Sequence, residues 1–173
     1  MSDYCEKCKV STNGDAYCHY PNTYDLVFIV DPFPDTSFTQ RLIAMAVDRV
    51  PPTYRKINYA VAPIIPCKSE KVPVLLYRSC AKATGIFEYV DAGVLPVLCG
   101  KSVQKIMLGH TPNQRSCAGW VVDSDGVEIG LLPGIQDIHD VDMEDQNDWF
   151  NIFADGVKTI FTKVYRAKTD QSV

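Results

Sequence analysis

The stretch Tyr24-Asp-Leu-Val-Phe-Ile-Val30 limits the fold of this chain more than any other. It is apolar without alternation and rich in β-formers, so it reads as a strand covered on both faces, the condition of a parallel sheet packed between helices. Beyond Val30 the chain alternates between loop, helix and strand. Asp31-Pro-Phe-Pro-Asp-Thr36 reads as a loop from its prolines. The spacing then predicts a helix over 37–49 with Phe38, Leu42, Ala46 and Val50 on one face, ended by Pro51-Pro52. Ile57–Ala62 is a second strand, Pro63-Ile-Ile-Pro66 leads from it to Cys67, helical spacing runs over 74–84, and Val94–Cys99 is a third strand. Gly100-Lys-Ser102 opens a turn into a helix closed by Gly109. Trp120–Val122 and Val127–Leu132 flank the turn Asp123-Ser-Asp-Gly126 as a hairpin. An amphipathic helix over 149–164 turns Phe150, Phe153, Val157, Ile160 and Phe161 inward. Strands alternating with helices predict an α/β fold, a three-layer α/β/α sandwich around a mostly parallel central sheet.

At 173 residues the chain has the size of one domain, expected to span 1–173 with a cysteine-bearing tail over 1–23. Hydrophobic residues at 46% and charged residues at 22% argue against disorder. No apolar run reaches the roughly 18 residues a membrane helix needs, so no membrane association is expected. No basic segment followed by an apolar one opens the chain, so the expected location is the cytoplasm. In that reducing compartment seven cysteines serve as ligands and buried thiols rather than disulfides. A net charge of −4 weighs against a grip on nucleic acid through its phosphates and towards a protein partner or a small ligand.

Four of the cysteines suggest a metal centre. Cys5-Glu-Lys-Cys8 has the spacing at which two thiolates grip one metal from a tight turn, and Cys67 and Cys80 form a looser second pair. Four thiolates complete a tetrahedral zinc site or hold a 4Fe–4S cluster, and either would tie the tail to the body of the domain. Cys5, Cys8, Cys18 and His19 form a competing zinc set within the tail, and buried or incidental thiols are the plain reading of Cys5, Cys8, Cys67 and Cys80. Cys99 and Cys117 read as a core thiol and a loop thiol.

Taken in order, these pieces resemble the iron–sulfur (family 4-like) branch of the uracil-DNA glycosylase superfamily. The resemblance rests on Cys5/Cys8, the strand into Asp31–Asp35, Phe38 and its helix, Cys67, Cys80, and Leu98-Cys-Gly-Lys-Ser102, and it covers most of the chain to the final helix. It implies a 4Fe–4S cluster, rather than zinc, on Cys5, Cys8, Cys67 and Cys80. It also implies a place in DNA repair, replication or transcription, and Phe38 as a stacking platform for a flipped base.

The same resemblance points away from catalysis. The family's loop glycines fall on Asp31 and Asp35, and its loop carboxylate falls on Pro32. The asparagine that reads the base edge falls on Pro63. The late histidine falls on Gln136 within Pro133-Gly-Ile-Gln-Asp137. Asp137, Asp140, Asp142, Glu144, Asp145 and Asp148 come next with no Lys or Arg among them, a stretch that repels a phosphate backbone. It reads as a solvated loop or as a docking surface for a basic protein. The expectation is a pseudoenzyme with no catalytic residues, a binding or structural subunit of a nucleic-acid-processing assembly. The alternative is an active, divergent glycosylase using Asp31, Asp35 or His139, which a basic strip of Arg41, Arg49, Arg55 and Lys56 near Phe38 would favour. A small-substrate enzyme on the same fold is the third reading. Gly100-Lys-Ser lacks the upstream glycine of a phosphate-binding loop and reads as a structural turn.

Overall fold

The computed structural model describes residues 24–31, 36–64, 93–124 and 126–170. Cys5, Cys8, Cys18, His19, Cys67, Cys80, Asp35 and the expected helix over 74–84 lie outside them.

The elements run β1 (Leu26–Val30), α1 (Thr36–Val47), a 3-10 turn (Tyr54–Lys56), β2 (Tyr59–Pro63), β3 (Leu95–Cys99), α2 (Lys101–Leu108), β4 (Val121–Ser124), β5 (Val127–Leu132), α3 (Ile135–Asp140) and α4 (Met143–Asp170). The strands form one five-stranded sheet in the order β2-β1-β3-β5-β4. Every pairing is parallel except β4 with β5, the hairpin expected around Gly126. The fold is therefore mixed α/β with a mostly parallel sheet.

All five residues of β1 are buried, and their alternation between two faces explains the unbroken apolar run. Leu26, Phe28 and Val30 join Val97, Cys99 and Leu132 in one apolar cluster. It also holds Leu42, Ile43 and Ala46 of α1, Ile135 and Ile138 of α3, and Phe150, Phe153, Val157, Ile160 and Phe161 of α4. Val27 and Ile29 point the other way, to Ala62, Ile64, Leu98, Ile129, Leu131, Val103 of α2 and Cys117. Each large aliphatic or aromatic side chain so buried contributes about 1.5–3 kcal/mol, which makes the sheet and its flanking helices one cooperative body.

α4 runs longer than its apolar spacing predicts, by roughly 1.7 turns at each end. Its start places Glu144 and Asp145 in the first turn, where carboxylates complement the exposed amides of a helix N-terminus. Its end is held by Tyr165 edge-on to Tyr54 at 5.3 Å and by Lys168 against Asp25 at 2.5 Å. Lys163 meets Glu128 at 2.8 Å. Asp25 precedes β1 and Glu128 lies near the start of β5, so α4 runs antiparallel to both strands and begins beside their carboxyl ends. Among the described residues no helix is long and apolar enough to cross a membrane.

Candidate functional site at the carboxyl ends of the strands

From β1 the chain passes outward to β2, whereas from β3 it passes to β4 at the opposite edge and turns back into β5. The connections thus diverge between β1 and β3, and a parallel sheet opens a crevice at the carboxyl ends where they do so. Asp31 leaves β1 here, Gly100 leaves β3, and Pro133-Gly134 leaves β5. Pro63 ends β2 in register with Val30. Asp31, together with Pro63 and Gln136, the positions on which the glycosylase resemblance places its base-reading asparagine and its late histidine, therefore belongs to one end of the sheet.

The floor of this end is bare backbone. Gly100 has φ +102°, and a Cβ built on it would stand 2.9 Å from the Gly134 Cα and 3.5 Å from Asp31 Oδ2. A Cβ on Gly134 would stand 2.6 Å from Asp137 Oδ2. The Gly100 amide donates to the Leu132 carbonyl at 3.1 Å, carrying the β3–β5 ladder to its last residue. Below it Gln104, fully buried, donates from Nε2 to the carbonyls of Leu98 at 3.2 Å and Leu132 at 2.8 Å. Its Oε1 accepts from Gln114 Nε2 at 2.6 Å. This buried amide pair fixes the ends of β3 and β5 relative to α2.

Two carboxylates stand over that floor. Burial is the main cause that pushes the Asp31 carboxyl up to about 6; the charge of Asp137 adds to it, and a hydrogen bond with the Ser102 side chain opposes it. Asp137 Oδ2 is buried and has no hydrogen-bond partner among the described residues. The Cys99 thiol is pushed far up, first by burial and then by the charge of Asp31, so it is an inert core thiol as expected. Cys117 lies between α2 and β4, but it is fully buried in the second cluster rather than an open loop thiol.

Phe38, on the first turn of α1, is partly buried and meets the His139 ring edge-to-face, with centroids 5.0 Å apart. His139 Nδ1 lies 3.0 Å from Asp140 Oδ1, and Gln136 Nε2 donates to the same oxygen at 2.7 Å. These contacts, His139 first, hold the Asp140 carboxyl below its ordinary range. Gln136 is thus exposed and turned along its own helix. His110, the other described histidine, is exposed with Nδ1 3.3 Å from the Leu108 carbonyl.

The basic strip does not form. Arg49 lies beyond the far end of α1 from Phe38, roughly 16 Å along the axis at 1.5 Å per residue. It stacks over Phe150 at 4.5 Å and donates to Asn151 Oδ1 at 2.6 Å. Arg55 caps the α1 end through the carbonyls of Val50 and Asp48. Lys56 follows it in the 3-10 turn before β2. Arg41 alone of the four lies within a turn of Phe38.

The acidic stretch is not a loop. It spans the second half of α3, a short turn and the start of α4, with Gln146 Nε2 donating to Val141 O at 3.1 Å to fix the turn. Asp148 pairs with Arg115 at 3.1 Å, and that guanidinium lies over the Trp149 ring. Neither α3 nor the meeting of Asp31 with Asp137 is anticipated by apolar spacing. One signal for the helix is present: Gly134 followed by Asp137 is an N-cap glycine with an acid at the third helical position.

Among the described residues no group of three or more His, Cys, Asp or Glu side chains is arranged to hold a metal ion. The four cysteines singled out for a cluster, Cys5, Cys8, Cys67 and Cys80, are not among those residues. No protein-family model matches the chain, and no curated protein matches it.

Proposed function

We propose that this chain is a uracil-DNA-glycosylase-like iron–sulfur protein, a three-layer α/β/α sandwich that no longer excises bases and serves as a binding subunit in a nucleic-acid-processing assembly. One observation carries this reading. The end of the sheet that gathers Asp31, Pro63 and Gln136 is the place where base-excision groups would have to stand, and among the described residues neither Pro63 nor Gln136 offers a free group for reading a base edge. Pro63 has no side-chain hydrogen-bonding group, and Gln136 is committed to Asp140. The flanking surface is acidic, from Asp137 through Asp148, which suits a basic protein partner better than a phosphate backbone. On this reading Cys5, Cys8, Cys67 and Cys80 hold a 4Fe–4S cluster that ties the tail to the body; four thiolates suit iron–sulfur and zinc alike, and the resemblance favours the cluster.

A second reading is favoured by Asp31. A carboxyl raised to about 6 at the end of a strand is poised for proton transfer near neutral pH, as a divergent glycosylase would need. Purified protein offered uracil-containing single- and double-stranded DNA separates the two. The binding reading expects no excision above the uncatalysed rate; excision at an enzymatic rate that Asp31→Ala abolishes overturns it. Iron and acid-labile sulfide analysis under anaerobic conditions tests the cofactor. About four of each per chain are expected, with visible absorption lost in Cys67→Ser; zinc would remove the strongest support for the resemblance.

A further inference from the structure

Helix α3 meets the end of β1 whether or not the chain is a glycosylase relative. It is six residues long, held to the core by Ile135 and Ile138, and it carries both Asp137 and His139. Its N-cap Gly134 rests on Gly100 with no room for a side chain between them, and Asp31 Oδ2 lies close by the same glycine. Asp137 Oδ2 is shut in at this seam without a donor among the described residues. We propose that Asp31 and Asp137 form a proton-operated latch: with a proton on Asp31 helix α3 seats against the ends of β1 and β3, and with both carboxylates charged it lifts, taking His139 off Phe38.

The groups facing Asp31 among the described residues are Asp137 from α3, the Ser102 hydroxyl from α2 and the Cys99 thiol from β3. On the outer side of α3, His139 pairs with Asp140; at the start of α2, Lys101 is exposed. No cation in this set neutralises Asp31. Its carboxyl titrates near 6 when α3 is seated, against an ordinary value of 3.8. The seated state therefore binds more protons than the open one between those values. Its advantage is complete below the lower value, falls as pH rises, and is lost once pH passes the upper one.

Hydrogen–deuterium exchange of the amides over 134–141, corrected for intrinsic rates, reads the opening directly. Protection is expected to fall from pH 5 to pH 7.5 by up to about tenfold, the limit reached if lifting α3 returns the Asp31 carboxyl to its ordinary value. Asp31→Asn, which cannot ionise, should hold protection flat over the range. Asp137→Asn should shrink the fall by removing the neighbouring charge. His139 is carried by the same helix, so His139→Gln is the control and should leave the fall in place. A flat wild type, a fall that persists in Asp31→Asn or is unchanged in Asp137→Asn, or one that vanishes in His139→Gln overturns the latch. DNA excision enters none of these readouts, so the latch and the proposed function fail separately.

Discussion

Gly100 shows how a single missing carbon sets the site. At φ +102° an L side chain is strained, and the space its Cβ would take is filled by the backbone of Gly134, which cannot rotate aside. Gly100→Ala is expected to cost about 2–4 kcal/mol in urea unfolding, combining left-handed strain with an overpacked seam. A cost below about 1 kcal/mol would mean that α3 moves off freely and that the seam is not tight. In the sequence this glycine reads as a turn before a helix, which is right. Its partner does not read at all, because nothing in Pro133-Gly134 announces that two backbones cross there. The raised Asp31 is equally hidden. Its loop suggests a carboxylate beside prolines, but the shift comes from burial and from the charge of Asp137, a residue far along the chain that only the folded sheet brings near.

At the scale of elements, period and length are enough wherever an element buries its own stripe. β1, β3, α1 and the apolar middle of α4 lie where their spacing puts them, since each makes its case within one segment. α3 and the first turn of α4 escape such a reading because their residues are acidic. They are helical through tertiary contact of Ile135 and Ile138 and through carboxylates at a helix start, not through an apolar stripe. Gly156 presents the converse case, a glycine inside a long helix. A Cβ there would meet Leu132 Cδ2 at 2.6 Å and the Gly119 amide nitrogen at 2.9 Å, where the chain entering β4 crosses α4. Helix propensity favours alanine at such a position by about 1 kcal/mol, whereas overpacking opposes it by about 1–3 kcal/mol. Gly156→Ala is expected to destabilise in chemical denaturation. Stabilisation would mean that the crossing yields and that propensity decides.

At the scale of the whole molecule, the described residues are polar in charge along the sheet. Asp31, Asp137, Asp140 and the carboxylates of the first turns of α4 stand at the carboxyl ends of the strands, while Lys163 and Lys168 on the last turns of α4 answer Glu128 and Asp25 at the other end. The acidic excess is plain in the sequence, but its placement is not, because placement depends on α4 running antiparallel to β1 and β5. A protein that binds nucleic acid through phosphates needs cations where the ligand approaches, and its affinity falls steeply with salt. Here the crevice end should repel DNA. Fluorescence anisotropy with a labelled oligonucleotide at about 50 mM salt is expected to give a Kd weaker than roughly 10⁻⁴ M, the weak limit of ordinary non-specific binding. Neutralising the surface with Asp140→Asn, Asp142→Asn and Glu144→Gln together should strengthen binding severalfold, with the gain shrinking as salt rises, because only a repulsion has been removed. Micromolar binding by the unaltered chain, with a steep salt slope and no gain on neutralisation, would place the nucleic-acid surface elsewhere on the molecule and leave a protein partner without support from charge.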